Sequence, residues 1–177
     1  MIGALSALVT VLAWGTWLAP SQNVSFRSQQ VKTFYVAAAN LVLTVVVALL
    51  QGGAAPSLAG LGLPFAGGLI WSVSGLCAFT ATEKLGIARA FGIWAPLNII
   101  VSIIWGAVLF GEFLHLDSLN LIIFLGSLAL ILTGVLMIIL SKGEREKQRT
   151  RRDMLVGVLG AVGAGVLWAT YYIPIKI

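Results

Sequence analysis

The stretch "LAWGTWLAP" (residues 12–20) returns as "VLWATYYIP" (residues 166–174) in a chain of 177 residues. Sliding the sequence by 154 positions pairs Gly3 with Gly157, Leu5 with Leu159, Ala7 with Ala161, Trp14 with Trp168, Thr16 with Thr170 and Pro20 with Pro174. Trp17 meets Tyr171 in the same register. Glycine, leucine and alanine matches come cheaply in apolar helices. A shared W-x-T-aromatic-x-x-P ending is much harder to obtain by chance, so the two segments read as copies of one unit.

The sequence around these copies belongs in a bilayer. It is 59% hydrophobic and 10% charged, with a mean hydropathy of +1.02, far above what a water-soluble surface can carry. Apolar runs long enough to cross a membrane, which takes about 20 residues of helix, occur near 2–20, 33–50, 60–81, 90–110, 119–140 and 154–175. The expected fold is therefore all-α: a polytopic membrane bundle of six transmembrane helices. Residues 1–140 form a five-helix repeat, 141–153 a basic linker, and 154–177 the first helix of a second repeat. The first run lacks a basic leader and a small-residue cleavage site, so it reads as a retained helix and not a signal peptide.

The net charge of +5 does not point to nucleic acid, because nearly all the basic residues lie in short gaps between apolar runs, where they report topology. The first gap holds Arg27 and Lys32, the third Lys84 and Arg89, and the fifth, "SKGEREKQRTRRD", six Lys and Arg residues. The second and fourth gaps hold none. Basic loops stay in the cytoplasm. The N-terminus is thus expected outside and the 141–153 linker inside a cell membrane. Cys77 and His115 are the lone residues of their kinds, which leaves no disulfide framework and no thiolate metal site. With no nucleophile–base pair and no phosphate loop either, neither an enzyme nor a cofactor is expected.

Five spans separate the two copies, and an odd number means that the second enters the membrane from the opposite side. Inverted repeats of this kind let two pseudo-symmetric halves rock around a midplane site and expose it to each side in turn. The complete machine would hold ten spans.

Five-span repeats with "WG-T" in the first helix and "LFGE" closing the fourth resemble the drug/metabolite transporter superfamily. Residues 67–112, "GGLIWSVSGLCAFTATEKLGIARAFGIWAPLNIIVSIIWGAVLFGE", are similar to the third and fourth helices of its glucose/ribose and rhamnose sugar-uptake families, with a Trp in the third helix, a "K-LG" connection and a Gly-rich fourth helix. The resemblance implies a ten-helix sugar transporter, of which this chain carries the first six spans.

Polar side chains cost free energy in a bilayer unless they face a cavity or another helix, so their angular position carries information. Ser6, Thr10, Trp14, Trp17 and Ser21 make a stripe on the first span. Asn40, Thr44 and Gln51 share a face of the second. Trp71, Ser74, Gly75, Ala78 and Thr82 share one of the third, and Trp94, Asn98, Ser102 and Trp105 one of the fourth. Spacings of three and four residues place each set on one helix face. The fifth span, with Ser127 and Thr133 off register, belongs at the periphery. The candidate substrate path is Trp14, Trp17, Asn40, Trp71, Ser74, Trp94, Asn98 and Trp168. Ser and Thr at such positions also serve close helix packing, and Trp also anchors helices at the membrane interface.

Neutral amides, hydroxyls and indoles suit a neutral polyhydroxylated solute, because an indole packs on the C–H face of a sugar while N–H groups and amides meet its hydroxyls. Pro96 is a candidate kink beside Trp94 and Asn98. Pro20 and Pro174 are candidate hinges or simple helix stops. No charged residue lies near the middle of the first five spans, which argues against proton exchange for organic cations and leaves any proton coupling to a second half. The leading expectation is a secondary transporter for sugar uptake that works by alternating access. The alternatives are an exporter of amino acids or other metabolites with the same fold, and a non-transporting half-unit or structural membrane protein. Besides the lipid bilayer, the expected partners are a small neutral sugar and a second half or homodimer.

Overall fold

The computed structural model describes residues 2–18, 23–52, 57–112, 116–140 and 150–176. Pro20, Ser21, His115 and residues 141–149 of the basic linker lie outside them. The helices are α1 (Ile2–Thr16), α2 (Gln29–Leu50), α3 (Leu58–Leu85), α4 (Ile87–Val108), α5 (Ser118–Leu140), α6 (Arg151–Trp168) and a short α7 (Ile173–Lys176). No strand occurs among the described residues. α2 to α5 are each long and apolar enough to cross a membrane. α1 and α6, with 15 and 18 residues, are shorter than the spans expected there.

Helix starts follow from side-chain caps, each satisfying an amide that has no partner within the helix. Ser28 Oγ accepts from the Val31 amide at 3.3 Å, and Ser57 Oγ from Gly60 at 3.1 Å. At the head of α6, Thr150 Oγ1 accepts from the Asp153 amide at 3.1 Å and donates to its carboxylate at 2.6 Å. This cap starts α6 at Arg151, three residues ahead of the apolar run. Gly86 ends α3 and opens α4 at φ +81°, a conformation that favours glycine. The glycine of the "K-LG" connection is therefore a backbone requirement.

The sixth expected span does not run unbroken to residue 175. α6 stops at Trp168, residues 169–172 turn, and Pro174 occupies the second position of α7. Proline has no N–H to give the Thr170 carbonyl and fits the first turn of a helix; the Ile173 amide bonds that carbonyl at 3.0 Å. Pro174 thus opens a helix where the sequence reading has it closing one.

α6 is the centre of the described bundle. It packs most extensively on α3 and next on α4, whereas α5 packs only on α4 and α2 only on α3. The cause is a face of small residues: Gly157, Gly160, Ala161, Ala164 and Gly165 are all buried. A methyl at Gly160 would lie 2.9 Å from the Cys77 carbonyl oxygen on α3, and one at Gly165 would lie 2.8 Å from that of Trp94 on α4. Only side chains this small let two helix backbones come so close, and in lipid such dispersion contact is a main source of helix association. By contrast α2 and α5 point Leu41, Val42, Leu43, Ile122, Ile123 and Leu130 outward. Those surfaces suit contact with lipid chains.

Ion pairs tie the two ends of this core. Lys84 of α3 meets Asp153 at 2.9 Å, and Lys176 of α7 meets Glu112 at 2.8 Å while lying 4.1 Å from the centre of the Phe110 ring. Exposed pairs of this sort contribute little to stability, because water and salt screen them. Geometry around α6 comes mainly from the glycine face.

Candidate functional site: a cluster of four indoles

The ends of α1 and α6 and the middle of α4 bring four tryptophans together. Trp14 and Trp17 stand one turn apart at the end of α1, with ring centroids 6.1 Å apart. Trp168, the last residue of α6, touches three indoles: Trp14 at 6.0 Å, Trp17 at 5.9 Å and Trp94 at 5.5 Å, with the Trp94 ring at 90°. Edge-to-face contact sets the positive rim of one ring on the negative face of the next, the favoured arrangement of aromatic pairs. Phe79 of α3 closes one side, 5.8 Å from Trp17, and Phe91 leans on Trp94 at 4.6 Å with the planes 47° apart. Trp94 and Trp168 are 3% and 8% exposed, whereas Trp14 is 51% exposed. One wall of the cluster is therefore open.

The hydrogen bonding of these rings sets them apart. The Nε1 atoms of Trp17 and Trp168 are buried and have no hydrogen-bond partner among the described residues. A buried indole N–H ordinarily finds an acceptor, and leaving one unpaired costs about 1–3 kcal/mol. These two donors lie on touching rings, Trp17 against Trp168. Trp105 gives the contrast. Its Nε1 donates to Thr170 Oγ1 at 3.1 Å, which passes the bond on to the Val166 carbonyl at 2.7 Å. Trp105 is thus a strut between α4 and the turn after α6.

The remaining sequence candidates divide. Asn98, one turn beyond Trp94 on α4, is half-buried, and its amide makes no hydrogen bond among the described residues, so it is available beside the cluster. Trp71 packs on the core. Ser74 is fully buried, but its hydroxyl donates to the Trp71 carbonyl at 2.6 Å, so its polarity is already satisfied and the residue serves packing. Asn40 is exposed on α2, as are Thr44 and Gln51 of the same face. α2 reaches the bundle only through α3, and the structure does not bring Asn40 to the cluster. α4 runs as one helix through Pro96, and α6 crosses α4 at that turn, between the Trp94 carbonyl and the Leu97 side chain.

Sequence reading missed Lys32 and Phe79. Lys32 reads as a topology mark, yet in the first turn of α2 it is only 6% exposed, with Nζ 4.6 Å from the centre of the Phe79 ring. A signal was present: Val36, four residues on and on the same face, also packs on the core. No group of three potential metal-ligating side chains occurs among the described residues. A shallow groove beside Tyr35, Ala38 and Val42 on α2 is lined mostly by apolar atoms.

Comparison with known proteins gives two findings. Residues 5–176 match the family model of sugar transport proteins. The chain is also 22% identical over 175 residues to a Bacillus anthracis protein named for sugar uptake, in a match that covers 99% of this chain and 60% of that protein. The chain therefore spans 60% of the length of that relative. No solved structure matches it.

Proposed function

Because the chain belongs to the family of sugar transport proteins, we propose that it forms part of a secondary transporter for sugar uptake, with the four-indole cluster as the substrate site. The observation that carries this reading is the pair of buried, unpartnered indole N–H groups on Trp17 and Trp168. A pyranose or furanose offers them hydroxyl oxygens and offers the ring faces its C–H groups. Asn98 supplies an amide on the same side of α4, and Trp14 supplies the exposed ring at the mouth.

Alternating access about an inverted repeat accounts for where the cluster lies. A residue that touches its own symmetry equivalent lies on the two-fold axis relating them. Trp14 and Trp168 are repeat equivalents, and their rings are in contact. In transporters built from inverted repeats, the axis passes through the midplane site. The N-terminus then faces outward and the 141–153 linker the cytoplasm of the cell membrane.

The exposed face of α1 supports assembly with a second half. On α6, Gly157, Gly160, Ala161, Ala164 and Trp168 are buried. Their equivalents on α1, which are Gly3, Ser6, Ala7, Thr10 and Trp14, are all exposed. Among the described residues no helix packs over this face of α1, from which only Trp14 reaches across, to Trp168; a second half, from the same protein or a partner copy, would cover it, and it would also carry any proton-coupling group.

The test is uptake into vesicles holding the complete protein, comparing radiolabelled D-glucose, D-ribose and L-rhamnose with a panel of amino acids. Saturable movement of a sugar is expected. Movement of amino acids alone would replace this reading with metabolite export, and no movement of either would leave a structural half-unit.

A further inference from the structure

Among the described residues of α2, Lys32 alone is buried. A buried lysine is expensive in any protein and more so at a membrane, where such residues are kept for a purpose. Its Nζ stands 4.6 Å from the centre of the Phe79 ring and 6.0 Å from that of Phe26. Phe79 is itself 2% exposed and leans on Trp17 at 5.8 Å, with the planes 59° apart. The Glu83 carboxylate, one turn along α3 from Phe79, acts electrostatically on the same ammonium. A cation is thus linked through one phenyl ring to an indole whose N–H lacks a partner.

We infer that Lys32 is a positioning residue of the sugar site: through the face of Phe79 it fixes the orientation of the Trp17 indole. The inference rests on the sugar-site reading above. The attraction of an ammonium for a ring face depends on the angle between them, so the lysine resists rotation of Phe79 in a way that a methylene chain of equal length does not. Phe79 in turn limits the tilt of Trp17. α2, which otherwise only flanks α3, gains a part in setting where the Trp17 donor sits. A change in how α2 lies on α3 would move that donor without breaking any contact to the sugar itself.

The test uses Lys32→Met, which keeps the stem and removes the charge, and Lys32→Arg, which restores a cation, both in the complete membrane protein. In purified protein the near-ultraviolet circular dichroism of coupled indoles reports ring orientation. Lys32→Met is expected to lose the band that Trp17→Phe loses, with far-ultraviolet signal and melting temperature unchanged, while Lys32→Arg keeps it. Adding Lys32→Met to Phe79→Leu should change the band no further. In uptake assays with whichever of D-glucose, D-ribose or L-rhamnose is carried, Lys32→Met should raise half-saturation about tenfold at constant maximal rate, and Lys32→Arg should recover most of it. An unchanged indole band in Lys32→Met overturns the inference, as does equal loss of both variants from the membrane, which would assign Lys32 to folding. If none of the sugars is carried, the transport reading fails while the dichroism still decides the role of Lys32. If Trp17→Phe impairs uptake and Lys32→Met does not, only this inference fails.

Discussion

The indole of Trp14 meets that of Trp168 edge to face, with centroids 6.0 Å apart and planes at 85°, across an offset of 154 positions in sequence. Two segments of similar sequence thus touch through Trp14 and Trp168. Around that contact lie two indole donors without acceptors and the Asn98 amide, which also has no hydrogen-bond partner among the described residues.

If the unpartnered donors bind sugar, removing them while keeping ring area separates hydrogen bonding from packing. Trp168→Phe and Trp17→Phe should each weaken apparent affinity by about tenfold, the value of roughly one good hydrogen bond to a neutral group. Radiolabelled uptake against concentration measures this. Normal half-saturation in both variants would remove the cluster from the site.

The two asparagines should part company. Asn98→Ala is expected to raise half-saturation several-fold, because its amide, one turn from Trp94, makes no hydrogen bond among the described residues. Asn40→Ala should leave it unchanged, since Asn40 is exposed on α2 and away from the cluster. Equal effects of the two changes would mean that the substrate path runs along α2.

Gly160→Ala and Gly165→Ala each place a methyl within 3 Å of a backbone carbonyl oxygen. Overpacking of this kind costs about 1–3 kcal/mol, so both variants should melt at lower temperature in detergent than the parent. Gly126→Ala and Gly134→Ala on α5, where a methyl meets nothing within 4 Å, serve as controls and should melt with the parent. A parent-like melt for Gly160→Ala would show that α3 and α6 do not approach as described.

The Thr150 hydrogen bond and the Lys84 ammonium hold the Asp153 carboxyl below its ordinary range. A lowered carboxyl contributes stability that is fully present above the ordinary carboxylate pKa and disappears as pH falls through the lowered one. Thr150→Ala, whose cap is worth about 0.5–2 kcal/mol in comparable helices, should therefore lower the melting temperature at pH 7 and do so less at pH 3. Parallel melting curves at both pH values would disconnect the cap from the carboxylate.

Orientation is testable with single cysteines in a Cys77→Ala background. Ser28→Cys and Gln148→Cys should resist an impermeant thiol reagent applied outside intact cells and react after the membrane is opened. Labelling of either one from outside would invert the topology.

Much of the indole cluster could be read in the sequence because tryptophan is rare and its spacing is informative: matching Trp14 to Trp168 and Trp94 to Asn98 needed only the similarity of two segments and the helical period. Asn40 misled because an amide in an apolar run signals a need for a partner but not where that partner lies. Lys32 misled for a different reason: a cation near a helix start obeys the topology rule whether it is solvated or folded onto a phenyl ring. The central place of α6 was not read, although Gly157, Ala161 and Gly165 recur at every fourth position as close-packed membrane helices require, because glycine records that something comes near and never what. The end of α6 at Trp168 turned on whether Pro174 closes one helix or opens another, and both are permitted by the same ring chemistry.

The seam between α3 and α6 joins Gly157, Gly160, Ala161 and Ala164 to Ala78 and Ala81. Leu85 and Lys84 flank Gly157 and Cys77 flanks Gly163, but glycine and alanine themselves have no side-chain rotamers to freeze, so that part of the seam forms with little loss of side-chain rotational entropy.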